Sequence, residues 1–382
     1  MNVLIVTAWY PTETNPISGI FVREIAKALS RYSNVLILHM IEGSPKGLYE
    51  ILEFAEDSFK VVRVRYKRIR GLSFFLYLYL TVNVTKKIVD EFNPDIVHLH
   101  VYKAGLPALI LKKLFGVPYV ITEHYKLIDR GSSLTRRVVN RIKILMASTI
   151  INYSELTILP SRAILGSIES HGILKEARII PNVVNTEMFN RNKPKKLKNN
   201  IKRLLFVGGL EDIKGVEYLL RALGIVVKIR NDFILDIVGD GPERKRYEKM
   251  VKDLKLERHV FFHGLKSKEE VAEFMKCCSF FVLPSLWESQ ACVLIEAMAC
   301  GKPVIATSSG GPKEIVMDFC GILVPPGDVK ALAEAIVFML DHFDNFPSDK
   351  ISKYARSRFS HEKVGKLLYN IYKQIVSNKL GR

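Results

Sequence analysis

The sequence predicts an α/β protein built from two Rossmann-like, doubly wound domains. Three observations carry that prediction. The chain has 382 residues, more than a single hydrophobic core usually supports. Short apolar runs alternate with segments of helical composition in both halves, the arrangement of parallel sheets with crossover helices. The chain also opens as strand, loop, helix: Val3–Ala8, then Trp9–Ser18 with Pro11 and Pro16, then Gly19 and Ile20–Leu29 at helical spacing.

Composition narrows the class. Hydrophobic residues make up 48% of the chain, ample for packed cores, and the formal charge is +18. Such a charge fits an anionic membrane, a nucleic acid or a nucleotide substrate. Cys277, Cys278, Cys292, Cys300 and Cys320 form no paired ligand pattern, so reduced, mostly buried thiols are expected. The N-terminal strand has no basic region before it and no cleavage site after it. A cytoplasmic location follows as the expectation.

In the first half no G-x-G-x-x-G follows the opening strand, so a dinucleotide cofactor is not supported. Val35–Leu38 and Val61–Tyr66 are the next strands. The second carries Arg63 and Arg65 and runs into Lys67, Arg68 and Arg70 with no acid between them. Leu72–Val84 follows, rich in Leu, Phe and Tyr and shorter than the roughly 20 residues of a membrane span. One reading is a basic patch beside an apolar helix at a membrane surface. The other is an edge strand followed by a helix buried against the sheet. The two elements together favour the membrane. The strand Asp95–His98 leads to His100. His98 and His100 share a strand face, but no third metal ligand is evident nearby. Pro118–Thr122 is a strand followed by Glu123, His124 and Tyr125. The helix Leu134–Met146, with Arg136, Arg137, Arg141 and Lys143, either extends the membrane face or is solvated.

In the second half, Arg191–Lys202 reads as a solvated loop, rich in Lys and Asn. Arg203–Val207 is a strand, and Gly208-Gly209-Leu210-Glu211-Asp212-Ile213-Lys214-Gly215 follows it. Phe233–Val238 leads into a glycine turn with Pro242 at the start of a helix. Val260–Phe262 runs into His263, Gly264 and Leu265. Phe280–Leu283 is a buried strand stopped by Pro284. Glu288 and Glu296 then stand with seven residues between them. Val293–Ala299 has helical composition, Gly301 and Pro303 stop it, and Val304–Ala306 resumes as a strand. One carboxylate therefore falls outside a strand's carboxyl end and the other about one turn into a helix. Open parallel sheets bind ligands at that crevice. The amides of Ala291, Cys292 and Val293 open the helix and point at an anion. Helices over Val329–His342 and His361–Ser377 flank Tyr354–Ser360.

Pro284-Ser285, then Glu288, seven residues, and Glu296-Ala297-Met298-Ala299-Cys300-Gly301-Lys302-Pro303-Val304-Ile305-Ala306 resembles the donor-site signature of family-four glycosyltransferases, the retaining sugar transferases of GT-B fold. Where that family often has Phe-Gly after the first Glu, this chain has Gln290 and Ala291. The resemblance spans nearly the whole chain and is strongest over residues 203–328. Asp95 to His100 resembles the family's Asp-x-Val-His-x-His run, and Ile150–Ser154 its strand ending in Ser. Ile179-Ile180-Pro181-Asn182 resembles its interdomain turn, with Val183 for Gly and Asn185 for Asp. The stretches 310–316 and 321–328 complete the pattern.

The resemblance implies an acceptor domain over 1–185, a nucleotide-sugar donor domain over 186–358, and a helix over 359–382 that returns to the first domain. It implies catalytic roles for His124 and Glu288, with His124 lining the reacting centre. Lys214 neutralises the diphosphate, and Glu296 binds the ribose. Glu288 and the amides of Ala291, Cys292 and Val293 hold the sugar and phosphates. Gly264 and Leu265 flank the base, and Gly19 brings backbone close to substrate. The family's second phosphate-clamping residue, an arginine, is replaced here by Gly209. No cofactor is implied, the chain has no Asp-x-Asp for a metal, and no nucleic-acid motif is present. The expected partners are a nucleotide-sugar donor, a glycan or lipid-linked acceptor, and an anionic membrane surface that would make the protein peripheral. A sugar-nucleotide epimerase of the same fold and a non-catalytic sugar-nucleotide binding protein are the alternatives.

Overall fold

A computed structural model describes residues 1–124, 134–170, 176–192 and 201–380. The chain divides into two compact units, Met1–Val183 with His361–Arg382, and Val184–Ser360.

Unit 1 is built on eight strands: β1 (Asn2–Thr7), β2 (Asn34–Gly43), β3 (Tyr49–Glu56), β4 (Phe59–Lys67), β5 (Ile96–His100), β6 (Tyr119–Thr122), β7 (Leu156–Leu159) and β8 (Ala177–Ile179). Their order is β3-β4-β2-β1-β5-β6-β7-β8. All pairs are parallel except β3 with β4. Apolar residues on successive positions, such as Val3, Leu4, Ile5 and Val6, are buried on both faces, which is why these strands read as continuous apolar runs. On one face the helix Ile20–Ser30 buries Val22, Ile25, Ala26 and Leu29 at helical spacing. Gly19 precedes it at φ 65°, with its backbone so close to Trp9 that a Cβ would lie 2.2 Å from the Trp9 carbonyl oxygen. Only glycine meets both demands.

The helix His361–Leu380 packs Val364, Leu368, Ile371 and Tyr372 into the same core as Val22, Ile25 and Ala28. Gly365 makes that packing close, since a Cβ there would lie 2.4 Å from the Ala28 carbonyl oxygen.

Two expectations are corrected in this unit. Ile150–Ser154 is not a strand, because the helix Leu134–Tyr153 runs through it. Ala147, Ile150 and Ile151 are buried at i, i+3, i+4 spacing, so the helical period prevails over the β-branched run. The strand lies one step later, as β7. The basic surface around β4 is also less basic than its sequence. Arg63 is buried, donating to the Pro11 carbonyl oxygen at 2.5 Å and to His39 Nδ1 at 3.2 Å. Arg65 pairs with Glu50 of β3 at 3.2 Å, an acid brought in by an antiparallel neighbour. The helix Ser73–Phe92 splits the two sequence readings. Leu80, Val84 and Ile88 are core, while Phe74, Phe75 and Tyr79 are exposed. No described helix is long and apolar enough to cross a membrane. Tyr125, the side chains of Arg136 and Arg137, and residues 193–200 of the Lys-rich loop lie outside the described residues.

Unit 2 carries an all-parallel six-stranded sheet: β9 (Lys202–Val207), β10 (Phe233–Val238), β11 (Val260–Gly264), β12 (Phe280–Leu283), β13 (Val304–Thr307) and β14 (Gly321–Val324), in the order β11-β10-β9-β12-β13-β14. Its core gathers Leu204–Phe206, Leu235, Phe280–Leu283 and Ile305 with the helices Val216–Val226, Cys292–Ala299 and Val329–His342. Tyr354–Phe359 falls inside a further helix, Ser348–Phe359. Cys278, Cys300 and Cys320 are buried, and all five cysteines are unbridged.

Gly365→Val should destabilise the protein by roughly 1–3 kcal/mol through overpacking against the Ala28 backbone. Urea denaturation followed by circular dichroism would measure it. An unchanged midpoint would contradict the close helix contact.

Candidate active site

In unit 2 the strand order reverses at β9, with β10 on one side and β12 on the other. The loops after β9 and β12 therefore part at the sheet's carboxyl edge and open a crevice. The loop after β9 carries Gly209 and Lys214, and the loop after β12 carries Ser285 and Glu288. Their backbones are nevertheless locked together at two points. Gly215, at φ 69°, approaches so closely that a Cβ would lie 2.1 Å from the Pro284 carbonyl oxygen. The Leu286 amide donates to the Ile213 carbonyl oxygen at 2.8 Å.

This locking brings Lys214 to Glu288, with Nζ 2.7 Å from Oε1. The Ser285 hydroxyl donates to the same carboxylate oxygen at 2.8 Å. Thr307 and Ser309 at the end of β13 both donate to the Ser285 carbonyl oxygen. The Gly311 amide donates to the Glu288 carbonyl oxygen at 3.0 Å. Glu288 is thus buried with its backbone and its side chain both fixed. Ala291 follows in a left-handed conformation, φ 64° and ψ 62°, ahead of the helix Cys292–Ala299. A non-glycine residue held there stores backbone strain, a feature that clusters at ligand sites. Cys292 and Val293 supply the first helical amides.

Glu296, buried on that helix, pairs with Lys268 Nζ. Lys268 also stands 5.4 Å from the Phe189 ring centroid. Sequence reasoning did not single out Lys268. The readable signal was Ser267 and Glu270 around it, a capping box that fixes Lys268 in the first turn of the helix Lys268–Cys277. Gly264 ends β11 at φ 69°, and Leu265 beside it is exposed. Gly209 is open: a Cβ there would meet only the Glu211 carboxylate, at 3.7 Å.

In unit 1 the reversal lies at β1, between β2 and β5. Gly19 and Trp9 flank the loop after β1, and His124 follows β6. The Phe21 ring packs on His124 with centroids 4.0 Å apart. His100 Nδ1 lies 3.0 Å from His124 Nε2. His98 is engaged on both nitrogens, by the Thr122 hydroxyl and by the Tyr372 hydroxyl, each at 2.7 Å. Tyr372 comes from the helix His361–Leu380. Among the described residues, no three His, Cys, Asp or Glu side chains are grouped to hold a metal ion. Val101, a β-branched residue, is held at φ 69°. Its amide donates to the Thr122 carbonyl oxygen at 3.0 Å, and the next amide, of Tyr102, donates to the buried Glu123 carboxylate at 2.6 Å.

Two family models match the chain: Glycosyltransferase Family 4 over residues 18–188 and Glycosyl transferases group 1 over residues 188–358. An uncharacterised glycosyltransferase of Methanocaldococcus jannaschii is 30% identical over 315 residues, covering 81% of this chain and 83% of its own. The alpha-monoglucosyldiacylglycerol synthase of Streptococcus pneumoniae is 23% identical over 81% of this chain and 75% of its own. Among solved structures, the sucrose-phosphate synthase of Thermosynechococcus elongatus superposes with a TM-score of 0.79 at 22% identity, covering 99% and 100% of the two chains. The Anabaena protein HepE, in complex with UDP and glucose, gives 0.74 at 19%, covering 97% and 99%. Both units have the GT-B layer architecture of these neighbours.

The buried groups of unit 1 set a pH dependence. Burial pushes His98 and His124 down to about 3. Burial with Arg63 alongside pushes His39 to about 4, and burial takes His100 well below 6.5. Below pH 6.5 the unfolded chain therefore binds protons that the native unit does not, and stability falls with acid. Glu123 acts in the opposite sense. Burial raises it from 4.5 to about 8, so its contribution is lost as pH rises towards 8. Four histidines against one glutamate put the balance point, and so the maximum, close to pH 7. Urea midpoints between pH 5 and 8 should pass through a maximum there, and Glu123→Gln should flatten the alkaline limb. A steady rise to pH 8 would refute this balance.

Proposed function

This chain belongs to the glycosyltransferases of group 1 and family 4, and on that premise we propose that it moves a hexose from a nucleoside diphosphate sugar to a glycan or lipid-linked acceptor, with retention at the anomeric carbon and without a metal. The observation that carries the reading is the Lys214–Glu288–Ser285 cluster at the strand-order reversal of unit 2. A lysine and a helix N-terminus beside it can stabilise a leaving diphosphate.

In this reading Lys214 neutralises the diphosphate, and Glu288 with the amides of Ala291, Cys292 and Val293 holds the sugar and phosphates. Glu296 takes the ribose hydroxyls, exchanging Lys268 for them. Gly264 and Leu265 border the base. In unit 1 the reading assigns a catalytic role to His124 and a substrate contact to the backbone at Gly19. The departing phosphate takes the acceptor's proton on the face it leaves, which yields retention without a protein nucleophile. A lipid-linked acceptor and a peripheral place on the inner face of a membrane are supported by the exposed Leu72, Phe74, Phe75 and Tyr79 beside Arg68, which is 84% exposed. That pairing of apolar and cationic groups suits an anionic lipid surface. Gly209 favours a second reading, a sugar-nucleotide binding protein with weak diphosphate contacts. Where a guanidinium fork would sit, there is open space and the Glu211 carboxylate.

A thermal shift series with UDP, GDP, ADP and CDP tests the donor site. A ligand at 100 times its dissociation constant stabilises by about 2.7 kcal/mol. One nucleotide should raise the midpoint and Glu296→Ala should abolish that rise, whereas no response to any of the four would sink the donor assignment. Gly209→Arg should fold normally and tighten binding of that nucleotide roughly tenfold, about the value of one charge-assisted hydrogen-bonded contact. Isothermal titration would read this, and unchanged affinity would mean that the phosphates lie elsewhere.

A further inference from the structure

The histidine cluster of unit 1 contains one unexplained atom. His100 is fully buried, its Nδ1 meets His124 Nε2 at 3.0 Å, and among the described residues its Nε2 has no hydrogen-bond partner. That orphan decides where the proton between the two rings resides.

Two neutral imidazoles facing each other through Nδ1 and Nε2 share one proton, and each ring carries one N–H in total. If His124 Nε2 held the shared proton, His100 would carry its own on Nε2, leaving a buried N–H with nothing to donate to. If His100 Nδ1 holds it, the orphan is only a bare lone pair, and the His124 proton moves to Nδ1. Buried donors without partners are the rarer defect in folded proteins, and a lone pair can accept weak C–H contacts where an N–H cannot. Both rings stay neutral, because burial disfavours the imidazolium in each. The cluster is rigid behind them. The His98 ring lies 4.2 Å from that of His100 and is tied to Thr122 and Tyr372, while Phe21 covers His124.

We infer that His100 is a positioning residue that fixes His124 as its Nδ1–H tautomer, so that His124 offers a hydrogen-bond donor, and not a proton acceptor, at its second nitrogen. The functional consequence rests on the reading of His124 as a reacting-centre residue. It then binds an oxygen of the sugar or of the leaving group and takes no proton from the acceptor, leaving that task to the phosphate. No covalent or proton-transfer step passes through the ring.

Long-range proton–nitrogen correlation spectra of the intact protein labelled with ¹⁵N-histidine test the tautomer directly at pH 7, with His124→Asn identifying the signals. His124 should show a protonated Nδ1 and a bare Nε2. An Nε2–H signal, or an imidazolium, overturns the inference. His100→Asn keeps a donor near the Nδ1 position and should preserve the tautomer, while His100→Leu should mix or invert it. A tautomer unmoved in His100→Leu overturns the role of His100. In an assay of nucleotide release from glucose and mannose donors that carry the nucleotide identified by thermal shift, His124→Asn should stay within about tenfold of the parent kcat, and His124→Ala should fall by about a hundredfold, the scale of a single preorganised donor. Equal losses in the two variants overturn the donor role. A failure of the donor-site reading would show instead as a missing nucleotide shift, which leaves the tautomer spectra untouched.

Discussion

The constraint on which the rest depends is topological. A parallel sheet sends every carboxyl end to one edge, and where the strand order reverses, the connections leave for opposite faces and open a crevice. In unit 2 that happens at β9 and in unit 1 at β1. The residues with unusual chemistry gather there: Lys214 and Glu288 in one unit, Gly19 and the histidine cluster in the other. The backbone gives way at the same edges. Ala291 and Val101, neither of them glycine, are both held at positive φ. At Val101 the strained backbone is held by its own amide on the Thr122 carbonyl oxygen and by the next amide on Glu123.

Polarity is handled differently at the two edges. Glu288 is paired with a lysine and accepts a hydrogen bond from a hydroxyl. The histidines are kept uncharged by dryness and bonded to one another, to Thr122 and to Tyr372, except at the His100 Nε2. A charged site suits a diphosphate, which brings its own charge. A dry neutral site suits contacts whose geometry must not vary with pH. Lys268 on Glu296 belongs to the first kind, a cation that compensates a buried carboxylate.

Much of this was legible in the sequence, for physical reasons. Gly239 stands next after β10 and the capping Asp328 stands just before the helix Val329–His342, and those signals act locally. The Glu288 to Glu296 spacing already placed one carboxylate on a loop and the other on a helix. What escaped depended on partners distant in sequence. Arg63 looked like surface charge because nothing local shows that β4 lies between β2 and β3. Glu50 could not be matched with Arg65 before the antiparallel register was known. Ile150 and Ile151 carried a strand-like composition at helical spacing, and only burial decides between the two. The pairing of Tyr372 with His98 spans most of the chain, and no pattern of residues announces it.

That last pairing bears on how the protein is made. Unit 1 borrows Val364, Gly365, Leu368 and Tyr372 from a helix that leaves the ribosome only after all of Val184–Ser360. At about 5–20 residues per second, the earlier part of unit 1 waits on the order of ten to thirty seconds for its missing layer. During that interval Val22, Ile25 and Ala28 have no cover, and His98 has water where Tyr372 will stand. Unit 2, continuous in sequence, has no such delay. The nascent chain is therefore exposed to aggregation and proteolysis chiefly through its first half, the half translated first and the last to be completed.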